Sequence, residues 1–389
     1  MLDILIDYGF TLLVCTTFVS ILKLMGENQV KILIIGANAS QGVYGNTLFD
    51  TSLQSASAGT HVTFYDHRKI GLKPHLTNLV KAAQQGRVTF LDRFPSRQRF
   101  DVVVVAVSSD QHVPALREAL GKLRELPQLF VLEKPLGVSV GDLRWYRSIS
   151  SQLQSRTVVN EPYHFMNSVD ELLRLAKAKP PIEVNVWSYK KRQTVSDHGG
   201  LKVFAIEFPH LHGAASRFAG RILGPSECQV NEYYRHVQGE PDNDGNFAQF
   251  MIKGVVYTVS QGLGTFTMDR HGNMQAHSNP PRTRKIRLNY GDGTYIELDL
   301  EPAFTTQDSR QVGAGKLYFY NARGELRHTT TVPDDPRRFF AKFIIQRALE
   351  PRTQILDGVG LQASLARNEA LLRLRLAATE ITRRQIPSA

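Results

Sequence analysis

The chain has 389 residues, with 47 Lys+Arg against 36 Asp+Glu and a formal net charge of +11. An apolar content of 42% and a charged content of 21% exclude a disordered chain, and 29 Gly and 18 Pro scattered without period exclude collagen-like and low-complexity sequences. Two cysteines, Cys15 and Cys228, cannot build a disulfide framework or a multi-cysteine metal site, and they read as lone thiols in a reducing, cytoplasmic setting. The basic excess is spread over Lys190-Lys191-Arg192, Arg282 to Arg287, Arg337-Arg338 and the C-terminal arginines. No nucleic-acid-binding module accompanies it, so it is read as solvated charge with a general attraction for anionic small molecules.

Residues 1–28 stand apart. Tyr8 to Leu24 is a 17-residue apolar stretch, at the lower limit for a membrane-spanning helix. Asp3 and Asp7 occupy the place of a basic n-region, which argues against a secretory signal. No single polar face forms, which argues against an interfacial amphipathic helix. Three readings stay open: a membrane anchor, a helix docked on a partner subunit, or an extension outside the functional fold.

From residue 30 the pattern is regular. Val30–Ile35 is a β-branched apolar run of the kind buried in a parallel sheet, followed by Gly36-Ala-Asn38-Ala-Ser-Gln-Gly42-Val-Tyr-Gly45. Strand-like runs recur at His61–Asp66, Arg87–Leu91, Asp101–Val107, Leu129–Leu132 and Thr157–Val159. Helical segments lie between most of them, at Pro74–Gln85, Gln111–Leu123 and Val140–Leu153. Alternation of this kind predicts a Rossmann, doubly wound parallel sheet over residues 29–160.

Residues 161–389 change character. Ser168 is placed to cap a helix running to about Lys179, and Glu207–Gly220 carries Pro209 in a first turn and Gly220 as a stop. Strand-like runs follow at Ile182–Tyr189, Phe247–Ile252, Val255–Gln261, Arg284–Tyr290, Tyr295–Leu300, Lys316–Tyr320 and Glu325–Thr331. Turn residues in Tyr290–Thr294 and Tyr320–Gly324 predict hairpins, hence an α+β domain with a large, mostly antiparallel open sheet. A C-terminal helix at 358–384 is marked by Leu361, Leu365, Leu372 and Leu376 on one stripe.

Two motifs carry chemistry. The glycine loop, with Gly36, Gly42 and Gly45, lies between a strand and a helix-compatible segment, where backbone N–H groups can hold a pyrophosphate. Asp66 ends the second strand and is the acid expected on the ribose hydroxyls, favouring NAD; His67, Arg68 and Lys69 follow and could instead receive the 2′-phosphate of NADP. The second motif, Glu133-Lys134-Pro135, closes the fifth strand at the end where such sheets bind ligands. A lysine there can donate a proton or hold a carbonyl oxygen; the pair could equally be a solvated strand end.

Together, Glu133-Lys134-Pro135 after a five-strand Rossmann half, Asn160-Glu-Pro-Tyr-His-Phe165 and a second sheet domain resemble the glucose–fructose oxidoreductase and inositol dehydrogenase family. The resemblance covers nearly all of residues 30–384. It implies a sugar, nucleotide sugar or cyclitol substrate, with hydride passing between a ring carbinol carbon and the nicotinamide. It places Lys134 against the nicotinamide and the reacting oxygen, Glu133 and Pro135 (as a cis peptide) around it, and the Val107–His112 loop, with Ser108 and His112, along the cofactor. It also implies a homodimer or homotetramer paired through the open sheet face.

The family's Asp-x-x-x-His element corresponds here to Glu207-Phe-Pro-His210-Leu-His212, where the acid is Glu and lies three residues before His210. Histidine titrates near neutrality and suits a base for the hydroxyl proton, oriented by a carboxylate. His210 with Glu207 is the first choice and His212 the second. Tyr163, His164 and Lys190 are further substrate candidates. His271 and His277 have no acid or cysteine at ligand spacing, and no metal is expected. The lengthened glycine loop is similar to that of the galactose-regulon repressor branch, so a non-catalytic dinucleotide-sensing regulator is the alternative. A membrane-tethered subunit held by residues 1–28 is another.

Overall fold

A computed structural model of the chain describes residues 29–36, 44, 47, 59–67, 71–190, 204, 207–237, 240–263, 266–268, 274–276, 282–305, 313–356 and 358–382. Residues 1–28, Asn38, Gly42, Gly45, Arg68, His271 and His277, singled out in the sequence, lie outside these. The chain divides into two compact units. One holds Met1–Val107, Ala115–Val131 and Ala341–Gln354; the other holds Ser108–Pro114, Leu132–Phe340 and Ile355–Ala389.

The N-terminal elements run β1 (Lys31–Ile35), β2 (His61–Tyr65), α1 (Thr77–Gln84), β3 (Val88–Leu91), β4 (Val102–Val105), α2 (His112–Lys122), β5 (Leu129–Leu132), α3 (Val140–Ser148), α4 (Ser150–Leu153) and β6 (Thr157–Val159). The sheet order is β3-β2-β1-β4-β5-β6, the classic doubly wound order, and the pairs β1–β2, β1–β4 and β2–β3 are parallel. Buried strands need apolar side chains on both faces, and Ile32 to Ile35, Val102 to Val105 and Leu129 to Leu132 supply them without interruption. The chain leaves β1 through Gly36 at φ +93°, with its N–H donating to the Tyr65 carbonyl. A Cβ there would stand 2.5 Å from the Ala106 carbonyl oxygen, so only glycine fits.

The later elements are α5 (Asn167–Ala178), β7 (Glu183–Lys190), α6 (Phe208–Ala219), β8 (Cys228–Val237), β9 (Glu240–Ile252), β10 (Val255–Leu263), β11 (Phe266–Met268), β12 (Met274–Ala276), β13 (Thr283–Asn289), β14 (Tyr295–Asp299), α7 (Glu301–Thr305), β15 (Ala314–Tyr320), β16 (Leu326–Pro333), α8 (Pro336–Leu349), α9 (Leu361–Ala377) and β17 (Thr379–Thr382). Nine of the strands form one sheet, ordered β16-β15-β14-β13-β7-β10-β9-β8-β17. Only β7–β10 and β8–β17 pair in parallel, so the sheet is mostly antiparallel as expected.

Three local expectations change. Ser168 does not cap α5: the helix begins at Asn167, and Asp334 caps it from outside, accepting from the N–H groups of Asn167 and Ser168 at 2.7 and 3.0 Å. The C-terminal helix ends at Ala377, after which the chain pairs with β8 as an edge strand. Leu361, Leu365 and Leu372 are buried, whereas Leu376 in the last turn is 83% exposed. Gly220 does stop α6, in the left-handed region at φ 65°. Among the described residues no helix is long and apolar enough to cross a membrane.

Candidate active site

The second unit brings the Glu-Lys-Pro motif together with α6 and α9. The Lys134–Pro135 peptide is cis. Side chains from two distant segments hold the turn that follows. His112 Nδ1 donates to the Pro135 carbonyl at 2.9 Å. Asn368 of α9 grips Gly137 twice, accepting from its N–H at 3.3 Å and donating to its carbonyl at 2.9 Å. Glu133 is held by Asn160 Nδ2, 2.9 Å from its Oε1, while the Asn160 N–H donates to the Leu132 carbonyl. Three side-chain hydrogen bonds thus fix the backbone after Lys134, and a fourth holds the Glu133 side chain before it.

His210 lies in the first turn of α6. Its Nδ1 is 3.0 Å from Glu161 Oε2, and the two side chains are 11% and 6% exposed. Arg367 of α9 approaches the other oxygen of Glu161 at 3.7 Å. Burial alone would raise the Glu161 carboxyl, but the His210 hydrogen bond and the Arg367 charge outweigh it and hold the group down at about 2. Burial and then the Lys134 ammonium push His210 down to about 4, against the opposing pull of Glu161. At neutral pH Glu161 is therefore a carboxylate and His210 a neutral ring. A carboxylate can only accept, so His210 carries its proton on Nδ1 and presents Nε2 as a lone pair. That is the tautomer a general base needs, and Lys134 is the leading charge acting on it.

The partner of His210 is therefore Glu161, 49 residues away in sequence, and not Glu207. Glu207 points elsewhere: its carboxylate accepts from Arg284 Nε and NH2, each at 3.4 Å, while Arg284 NH1 donates to Glu301 at 2.8 Å. What Glu207 gives His210 is its backbone carbonyl, which receives the His210 N–H at 2.9 Å.

His212 is not with this group. It is fully buried, donates from Nε2 to the Leu223 carbonyl at 2.8 Å, and its ring lies between Phe208 and Phe250. Burial lowers it to about 4. It is a core residue of α6. Tyr163 packs its ring against His210, with centroids 5.9 Å apart. His164 is covered by Gly358, whose added Cβ would stand 2.6 Å from its Cε1, and burial followed by the Arg367 and Arg217 charges lowers it to about 3. Ser108 precedes a short 3-10 turn that begins at Ser109. Lys190 ends β7, with only its backbone described. In the first unit, Gly36 and Asp66 stand at the ends of β1 and β2, and Asp66 is 3% exposed. Among the described residues no cluster of His, Cys, Asp or Glu could hold a metal ion.

No family model matches the chain, and no curated protein matches it by sequence. Its fold is nevertheless shared with solved oxidoreductases. A 3-ketoreductase of Actinomadura kijaniata, in complex with NADP and TDP-benzene, superposes with a TM-score of 0.63 at 12% identity, over 91% of this chain and 99% of that one. UDP-N-acetylglucosamine 3-dehydrogenase of Acidithiobacillus ferrooxidans superposes with a TM-score of 0.58 at 12% identity, over 90% and 98%. At such identities the likeness is one of fold.

Proposed function

We propose that the protein is an NAD(P)-dependent oxidoreductase transferring a hydride between the nicotinamide and a ring carbinol carbon of a sugar, nucleotide sugar or cyclitol. The observation that supports this most is the buried His210–Glu161 hydrogen bond, which sets the His210 tautomer under the charge of Lys134, on a motif held by His112, Asn368 and Asn160. Gly36 and Asp66 fit a dinucleotide. Gly36 lets the chain turn tightly off the end of β1 against Ala106, and an acid ends β2 where ribose hydroxyls lie in this sheet order. The cofactor, when bound, would supply or accept the hydride at its nicotinamide ring.

The chain's own residues handle the proton. In oxidation, His210 Nε2 takes the hydroxyl proton, Glu161 stabilises the imidazolium that forms, and the Lys134 ammonium stabilises the developing oxyanion. In reduction the proton returns along the same path. Arg367 keeps Glu161 ionised and so maintains the tautomer. NADP accompanies the related 3-ketoreductase, while Asp66 leans toward NAD, and either coenzyme suits this chemistry.

Equilibrium binding of NADH and NADPH, followed by turnover with nucleotide sugars and cyclitols, tests the proposal. Wild type is expected to bind one coenzyme and turn over, and Lys134→Ala to bind it without turnover. Coenzyme binding without turnover in wild type would favour a sensing protein of the same fold.

A further inference from the structure

On the face of the nine-stranded sheet that α6 covers, five strands carry a polar row. The register sets Arg284 of β13 beside Ser188 of β7, Ser188 beside Gln261 of β10, Gln261 opposite Asn246 of β9, and Asn246 opposite Glu232 of β8. With strands about 4.8 Å apart, Ser188 to Asn246 spans roughly 10 Å. The adjoining row on this face, Ile286, Val186, Val259, Ala248 and Val230, is buried and wholly apolar.

The two ends of the polar row are neutralised. Arg284 is taken by Glu207 and Glu301, and Glu232 by Arg375 NH1 at 2.9 Å. The middle is different. Ser188, Gln261 and Asn246 are fully buried, and Ser188 Oγ and both amide atoms of Gln261 and Asn246 have no hydrogen-bond partner among the described residues. A native interior leaves few buried polar atoms unpaired, because each surrenders its water without replacement. Five on three adjacent side chains are a group shaped to be completed by something else.

The chemistry narrows what that is. Amides and a hydroxyl both donate and accept, and the middle of the row bears no charge. Phosphate would call for a cation, and the guanidiniums at the two ends of the row, Arg284 and Arg375, are already held by carboxylates. A ring bearing vicinal hydroxyls, or an N-acyl group, matches the alternation of donors and acceptors. The row also leads to the candidate base: Arg284 binds Glu207, whose carbonyl receives the His210 N–H.

We propose that Ser188, Gln261 and Asn246 form a hydroxyl-reading subsite that binds the uncharged ring of the substrate. The inference rests on the sugar oxidoreductase reading above and adds the residues that select the ring. Calorimetric titration of the full chain with UDP-glucose, UDP-N-acetylglucosamine, TDP-glucose, glucose and myo-inositol tests it, with UDP, TDP and NADPH as references. At least one hydroxylated probe is expected to bind wild type and to weaken about tenfold or more in Gln261→Leu/Asn246→Leu. UDP, TDP and NADPH affinities are expected to hold, and the melting temperature to stay or rise as the unpaired atoms are removed. Ser188→Ala, which deletes one oxygen, is expected to weaken the same probe severalfold and serves should the leucine pair not fold. Unchanged probe affinity in these variants, or no probe binding to wild type that binds NADPH, overturns the subsite. Failure of NADPH and NADH to bind, with row-dependent sugar binding intact, overturns the oxidoreductase reading and leaves the subsite standing.

Discussion

The two sheets place their polar residues differently. In the six-stranded sheet β4 and β5 are apolar from end to end and β1 from Ile32 onward, and the candidate functional residues stand where strands stop, at Gly36, Asp66 and Lys134. The nine-stranded sheet carries buried polar side chains within its strands, among them Asn185, Ser188, Glu232, Asn246, Gln261 and Arg284. A parallel sheet with apolar side chains on both faces has room for ligands only at its strand ends. A mostly antiparallel sheet can give one register row to specificity while the next holds the core. Under the proposed function, the difference predicts that variants at strand ends in the first sheet alter chemistry or cofactor, whereas row variants in the second alter which substrate is read.

That contrast can be broken at several points. Lys134→Ala should lower kcat by about 10²–10⁴ with coenzyme binding retained, checked by steady-state kinetics beside a binding titration. Gly36→Ala should remove coenzyme binding and cost on the order of 1–3 kcal/mol of stability, because the new Cβ meets the Ala106 carbonyl at a φ that side chains avoid. Coenzyme titration and thermal denaturation read the two effects. Glu161→Gln keeps a hydrogen-bond acceptor for His210 but removes the charge that supports its protonation. Turnover should fall roughly tenfold, and the acid limb of the kcat profile should move to lower pH.

Stability against pH sharpens the account further. His164, His210 and His212 are held at about 3, 4 and 4 in the fold, below their unfolded value. As pH falls through about 6.5 the unfolded chain takes protons first, so stability is lost from there down to about 4 for His210 and His212 and to about 3 for His164. Glu161, held at about 2, extends the loss below its unfolded value near 4.3. His212→Phe should flatten the upper part of this decline and leave turnover unchanged, since the residue belongs to the core. A melting-temperature series from pH 7 to 3 checks both.

Much of the fold could be read from local pattern, because β1 to β6 are short apolar runs separated by helical segments. The strand Cys228–Val237 is not legible in local pattern, because Asn231 and Glu232 are buried polar residues that hide the alternation. Lys134 and His210 were legible through a motif and a helix start. Glu161 was not legible as the partner of His210, since the two meet across 49 residues and spacing along a helix says nothing of that. Arg367 and Asn368 were obscured in the same way, as polar positions inside a leucine-rich helix, one reaching Glu161 and the other the loop after Lys134. The spacing of Glu207 before His210 pointed to a pairing that Arg284, arriving from a distant strand, claims instead.

The central claim is that hydride passes between a nicotinamide and a ring carbon under the control of Lys134 and His210. Incubation of the protein with coenzyme deuterated at the transferring position of the nicotinamide, together with a panel of keto-sugars and nucleotide keto-sugars, tests it by mass spectrometry of the sugar product. The account predicts one deuterium bonded to a ring carbon with wild type, and none with Lys134→Ala that still binds coenzyme. Coenzyme binding by wild type with no deuterium in any product would contradict it.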